Sequence, residues 1–143
     1  MANEIRVTSS LTIRKTSGTT VILNKGYSSS FQGNMSGAKG PVPGALTIPT
    51  TPEVVNFGEL TTPGWCWLEN LDATNYVEWG AYDPDTATFY PIGKISPGCR
   101  YPIELAPVMG QDVSGTGTTG DTFSFAMRAD TAAVAVSVEA FEA

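Results

Sequence analysis

The sequence predicts an all-β protein, a two-sheet antiparallel β-sandwich or jelly roll of about nine or ten short strands. Three observations predict it. Apolar and polar residues alternate at period two from one end to the other, Gly, Pro, Asn and Asp interrupt the alternation at regular intervals, and no window carries a sustained helical stripe. A closed barrel is the second choice of architecture. The 143 residues suit a single domain, expected to span 1–143.

The first strand places Ile5, Val7, Ser9, Leu11 and Ile13 on one face, with Arg6, Thr8, Ser10, Thr12 and Arg14 on the other, as a half-buried strand does. The Thr16–Gly18 turn reverses it into Thr19–Asn24. Gly26 is expected to break that strand, leaving Tyr27–Gly33 as a third. Residues 33–52 then lose the pattern among glycines and prolines, except for a short piece at Ala45–Ile48. A stretch this long is either a surface loop or an extended arm whose prolines reduce the entropy lost on docking. In the second reading Lys39, Pro41, Val42, Pro43, Leu46 and Ile48 form a protein interface.

Strand pattern resumes with EVVNFGEL and GWCWLENL, followed by the Asp/Asn turn LDATN and the strand YVEWGAY. The turn at Asp83–Thr86 connects that strand to ATFYPIGKI as a hairpin. SPGC at Ser96–Cys99 feeds RYPIELAP, and Val113–Asp121 is a Gly/Thr/Ser loop. TFSFAMR and AAVAVSVEAF close the chain as an expected antiparallel pair around Ala129–Thr131. Phe123, Phe125 and Met127 share one face of that pair's first strand, and Val134, Val136 and Val138 one face of its second.

Hydrophobic residues make up 41% of the chain and charged residues 15%, so Thr, Ser, Gly, Asn and Ala cover much of the surface. Such groups lose less on desolvation than ions do, which suits a protein partly covered by neighbours. The net charge of −6 argues against nucleic acid as a partner, because phosphate binding needs concentrated Lys and Arg. Arg6, Arg14, Lys15 and Lys25 come nearest to a cluster, spread over separate expected strands. No secretion signal or membrane span is legible, so a cytoplasmic site of synthesis and no membrane partner are expected. Cys66 and Cys99 read as two buried free thiols or as one bridge.

The chain contains no histidine, which removes the commonest general base and metal ligand and every imidazole triad. No phosphate-binding glycine loop precedes a helix. Asp83 and Asp85, with Glu69 and Asp72 elsewhere, offer too few oxygens for a calcium loop and no second feature of a glycosidase pair. The expectation is no enzyme, no catalytic residue, no metal and no cofactor. Trp65, Trp67 and Trp79 form either an aromatic binding face, such as a sugar platform, or core and protein interface. Trp65 and Trp67 point one way, while Cys66 and Leu68 make an equally good core face.

Three segments, GWCWLENLDATNYVEWG, TFYPIGKISPGCRYPIELAP and MRADTAAVAVSVEAFE, together resemble a pattern found in small structural proteins of tailed bacteriophages, over Val55–Glu142. The resemblance implies a β-sandwich made in the host cytoplasm and incorporated into the virion. On that basis the expected function is a capsid decoration or cement protein at the capsid surface. It would bind the major capsid protein or other virion proteins and form a homo-oligomer in the particle. A tail or head-to-tail component is the near alternative, and a carbohydrate-binding module the alternative of another class. The first third of the chain departs from the pattern.

Overall fold

The computed structural model describes residues 4–35, 37–106 and 123–142, and among them finds ten strands and no helix. The all-β prediction holds. The Val113–Asp121 loop lies outside the described residues. Contacts divide the chain into two compact units, Met1–Met35 and Ser36–Ala143, where the sequence predicts one domain.

The first unit is a hairpin of two long strands, β1 (Ile5–Ser17) and β2 (Thr20–Gly33). They pair in register from Ile5↔Gly33 through Leu11↔Tyr27 to Ser17↔Thr20, with one irregularity between Lys15 and Thr16. The expected break at Gly26 does not occur. Glycine weakens a strand by removing a packing group but permits extended backbone, and Gly26 stays in the ladder opposite Thr12. The second and third expected strands are therefore one strand.

The second unit is a sandwich of two four-stranded antiparallel sheets. Sheet I has the order β3 (Val42–Ile48), β10 (Val134–Glu142), β5 (Pro63–Asn70), β8 (Arg100–Glu104). Sheet II has the order β4 (Glu53–Val54), β9 (Ser124–Ala129), β6 (Val77–Asp83), β7 (Thr88–Ile95). One core joins them. Cys66, Leu68, Val134, Val136, Val138 and Ala140 from sheet I meet Val77, Ile95, Phe125, Met127 and Ala129 from sheet II, all essentially buried.

β10 is the centre of sheet I, with β3 on one side and β5 on the other. The expected β9–β10 hairpin is absent, because β9 and β10 belong to opposite sheets and face each other across the core. The alternation of Phe125, Met127 and Ala129 with that of the valines fits both arrangements. Among the described strands of the sandwich only β6–β7 is a hairpin between consecutive strands of one sheet; the other consecutive strands lie in opposite sheets. EVVNFGEL also differs from the expected strand. Beyond Val54 it turns at Gly58, which has φ +59 and an amide bonded to Asn56 Oδ1, and drops Phe57 and Leu60 into the core.

Buried polar groups hold the crossings. Asn70, at the end of β5, donates from Nδ2 to the carbonyls of Asn75 (2.9 Å) and Ile95 (3.1 Å) and accepts from the Asp72 amide at Oδ1 (2.9 Å). Sheet I, the 71–75 turn and the end of β7 are thereby fastened at one side chain. Asp72 in turn accepts from the amides of Asn75 and Thr74 at 2.6 and 2.7 Å, which holds its carboxyl below its ordinary range. At the end of β10, Glu142 accepts from the Thr61 hydroxyl at 2.6 Å and the Thr61 amide at 3.2 Å. Those bonds, the hydroxyl's first, lower its carboxyl too.

Asn70→Ala orphans one buried and two part-buried backbone partners, and we expect a loss of about 2–4 kcal/mol, read by urea unfolding followed through tryptophan fluorescence. Because Glu142, Asp72 and Asp83 are held below their ordinary values, their contribution is complete above the unfolded carboxylate range and is lost as pH falls through the folded values. Melting curves between pH 6 and pH 2 should show stability falling at the acid end, with a shallower fall in Glu142→Gln.

Candidate protein-binding surfaces

The hairpin sorts its side chains by face. Pairing Ile5, Val7, Leu11 and Ile13 of β1 with Gly33, Phe31, Tyr27 and Lys25 of β2 gathers Ile5, Val7, Leu11, Ile13, Val21, Leu23, Tyr27 and Phe31 on one side. The opposite side carries Arg6, Thr8, Ser10, Thr12 and Arg14 beside Gln32, Ser30, Ser28 and Asn24, with Ile22 the apolar exception. Such a division predicts a buried apolar side, yet Leu11 is 56% and Tyr27 61% exposed, and Ile13, Val21, Leu23 and Phe31 are exposed as well. A ribbon of two strands is at best marginally stable in water on its own. Its apolar side needs cover.

Charge sets the hairpin apart. Between Ile5 and Gly33 the sequence holds four of the chain's eight cations and none of its fourteen acids. Three of the four do not stay scattered, as the sequence suggests they would. Register brings Arg14 opposite Asn24, Lys15 opposite Leu23 and Lys25 opposite Ile13, so three of them share the end of the hairpin near its turn. Lys15 and Lys25 lie on the apolar side.

The outer face of sheet I is the second exposed surface of interest. Strand alternation turns Trp65, Trp67 and Glu69 of β5 outward, beside Arg100, Pro102 and Glu104 of β8 and Ala135, Ser137 and Glu139 of β10. Trp67 stands between Pro102 and Glu139 in the ladder and is 38% exposed. Three carboxylates face one guanidinium here, and Arg100 pairs with Glu69 at 3.2 Å. Among the described residues the other ion pair is Arg128–Glu78 on sheet II, so Glu104 and Glu139 take part in neither.

The expected arm at 33–52 is largely an element of the sandwich. Val42–Ile48 is edge strand β3, paired from Ala140↔Val42 to Val134↔Ile48, with Val42 and Leu46 packed on the core and Ile48 inside it. Proline suits an edge strand, where one side of the backbone lacks a ladder partner, and Pro43 lies opposite Glu139 on the outer face. Pro41 is exposed. Lys39 donates from Nζ to the Glu59 carbonyl at 3.0 Å and accepts at its own carbonyl from the Glu142 amide. Gly40, at φ +108, approaches β10 so closely that a Cβ would sit 2.5 Å from the Ala140 carbonyl oxygen. The stretch is held along β10 instead of reaching outward.

The three tryptophans do not share a face. Trp79 turns inward from sheet II, lies against Phe125 and over Gly93, and donates from Nε1 to the Tyr101 hydroxyl at 2.8 Å. The Tyr101 hydroxyl in turn donates a hydrogen bond to the Lys94 carbonyl at 2.7 Å, linking β8 to sheet II. That leaves Trp65 and Trp67 outward as a two-residue face.

No family model, curated protein or solved structure matches the chain.

Among the described residues no three Cys, Asp or Glu side chains gather where they could hold a metal ion. The Asp83 carboxylate accepts from the Thr86 hydroxyl at 2.8 Å and the Asp85 amide at 2.9 Å, and so organises the β6–β7 turn. Cys66 and Cys99 are both free, and Cys99 is exposed where the sequence reading of two free thiols has both buried. Burial pushes the Cys66 thiol up to about 12.

In native protein at pH 8 a thiol reagent should therefore modify Cys99 within minutes and Cys66 only after denaturation, giving one fast thiol per chain and two in guanidinium. Because the Cys66 thiol titrates higher folded than unfolded, its contribution to stability should persist below the unfolded value and decline between about pH 9 and pH 12.

Proposed function

We propose that the chain is a non-enzymatic structural protein of a tailed-bacteriophage virion. It decorates or cements the capsid by binding neighbouring subunits, with the β1–β2 hairpin as its binding element. The observation that carries the binding role is the hairpin's exposed apolar side. A monomeric soluble protein seldom leaves a contiguous apolar patch of this kind uncovered, and such patches mark interaction surfaces.

The resemblance over Val55–Glu142 supports the virion as the place where this binding happens. The weakly charged composition supports it too, since 15% charged residues leave little ionic surface to desolvate at a seam between subunits. A ribbon of about 13 residues per strand reaches roughly 43 Å, enough to cross from one subunit to the next. Binding at many equivalent seams would stabilise a shell by mass action, since each bound copy favours the assembled state. A tail or head-to-tail position is the alternative within the same class.

The test mixes purified chain with heads and with tails, each stripped of accessory proteins, from the phage that encodes it. Co-sedimentation with heads is the expected result. Leu11→Asp combined with Tyr27→Asp should lower occupancy at least tenfold while the tryptophan-monitored melt of the sandwich is unchanged. Binding to tails alone would move the assignment to the alternative, and binding to neither particle would contradict it.

A further inference from the structure

We propose that the edge of β1 pairs with the same edge of a second copy of this chain, antiparallel and centred on Thr12, merging two hairpins into one four-stranded sheet. The contact is made by backbone along a strand edge. It leaves the apolar side of both hairpins to the neighbouring subunits, and it rests neither on the virion assignment nor on the sandwich.

The first observation is how the chain treats its strand edges. An unpaired edge is a template for another strand, and proteins blunt it with proline, bulges or very short strands. Among the described strands the sandwich blunts each edge of its two sheets. β3 carries Pro43, β8 carries Pro102 and β4 is two residues long, while β7 carries Pro91 beside a shift of register. Within the hairpin β2 is interrupted as well. Its pairing moves from Lys15↔Leu23 to Thr16↔Val21, so Ile22 is an extra residue in β2, and Gly26 weakens the same strand.

β1 is the exception. Its 13 residues hold no proline, no glycine and no inserted residue, and five of them, Val7, Thr8, Thr12, Ile13 and Thr16, are the β-branched type that strands favour. Among the described residues its sheet contains only β1 and β2, and Thr8–Ser17 are exposed throughout. An edge this long and regular marks a place where a strand is added.

The second observation is that β1 complements itself in one register. Two β1 strands paired in phase keep their apolar sides together, and the cations then decide among the in-phase alignments, since like charges opposed across a ladder destabilise it. Centring the pair on Ser10 sets Arg6 opposite Arg14 of the other copy. Centring it on Leu11 makes those two diagonal neighbours, and centring it on Ile13 does the same to the two copies of Arg14. Centring on Thr12 avoids all three. Leu11 then lies opposite Ile13 of the other copy, Arg14 opposite Ser10, Lys15 opposite Ser9, and Thr12 opposite itself.

The ladder from Thr8 to Thr16 has about nine residue pairs and about eight to ten backbone hydrogen bonds, near the roughly ten of a standard protein interface. A contact in which the same edge meets itself about a two-fold axis closes with two copies. The interrupted β2 edges lie outermost in the resulting sheet, where a bulge discourages further strands.

Sedimentation velocity of the wild-type full-length chain at tens of micromolar should give the mass of two chains. Thr12→Arg places a cation opposite its own copy and should weaken association at least tenfold, whereas Ser30→Arg, the same change on the same face of β2, should leave the dimer intact. Unchanged circular dichroism of both variants establishes that the hairpin still forms. Spin labels report the register: in a Cys99→Ser background, labels attached at Thr12→Cys should couple at short range. Labels at Thr8→Cys should stand far apart, on backbones roughly 27 Å from each other. A monomeric wild type, a dimer that withstands Thr12→Arg, or labels closer at position 8 than at position 12 would overturn the pairing. Its failure is distinct from that of the virion assignment: a monomer that still sediments with heads removes only the pairing, and a dimer that binds neither heads nor tails removes only the assignment.

Discussion

A strand with alternating side chains has one face that must leave water, and everything in this protein follows from where that face finds its cover. In the sandwich the cover is internal. β10 lies between β3 and β5 with Val134, Val136, Val138 and Ala140 wholly buried, and sheet II sets Phe125, Met127 and Val77 against them. Burying side chains of that size contributes about 1.5–3 kcal/mol each for the larger ones, which offsets the ordering of a chain rich in irregular connections. The hairpin has the same alternation over longer strands and no second layer within its own unit.

The sandwich accepts a cost in connectivity for its sealed core. Nearly every link between consecutive strands passes from one sheet to the other, so ladders join residues far apart in sequence, and turns cannot fix the register by themselves. Side chains with full sets of hydrogen bonds do that work. Asn70 binds three backbone groups, two from the 71–75 turn and one from a strand end, and the Trp79–Tyr101–Lys94 relay ties β8 to sheet II. Glu142 fastens the end of β10 to Thr61. Each is a buried or half-buried polar group that would be expensive unsatisfied, and each reaches a segment next to a crossing between sheets.

Period two is a local property, which is why the class of fold, most strand positions and the β6–β7 hairpin were legible in the residues. Partnership is not local. The alternation in β9 and β10 fits adjacent strands and facing strands equally well, and only the core decides between them. Gly26 read as a stop because glycine usually ends strands, but an exposed ribbon has no packing for it to spoil. The prolines at 41 and 43 obscured β3, since proline argues against a central strand and says nothing against an edge. Trp79 could not be separated from Trp65 and Trp67 before its pairing with Met127 placed it inside. The binding surface had a signal that could have been used: no acid occurs between Ile5 and Gly33 in a chain with fourteen. Pairing was needed to see that Lys15 and Lys25 fall on the apolar side.

The central claim is that the hairpin's apolar side is covered by protein when the molecule does its work. Amide hydrogen exchange compared between dilute, unassembled chain and the assembled state reads this directly, because a ribbon without a second layer opens readily and a covered one does not. The account predicts fast exchange across Ile5–Gly33 in the dilute chain and strong slowing there on assembly, with β5, β9 and β10 slow in both states. Equal exchange of the hairpin in the two states, or slowing confined to the sandwich, would contradict it.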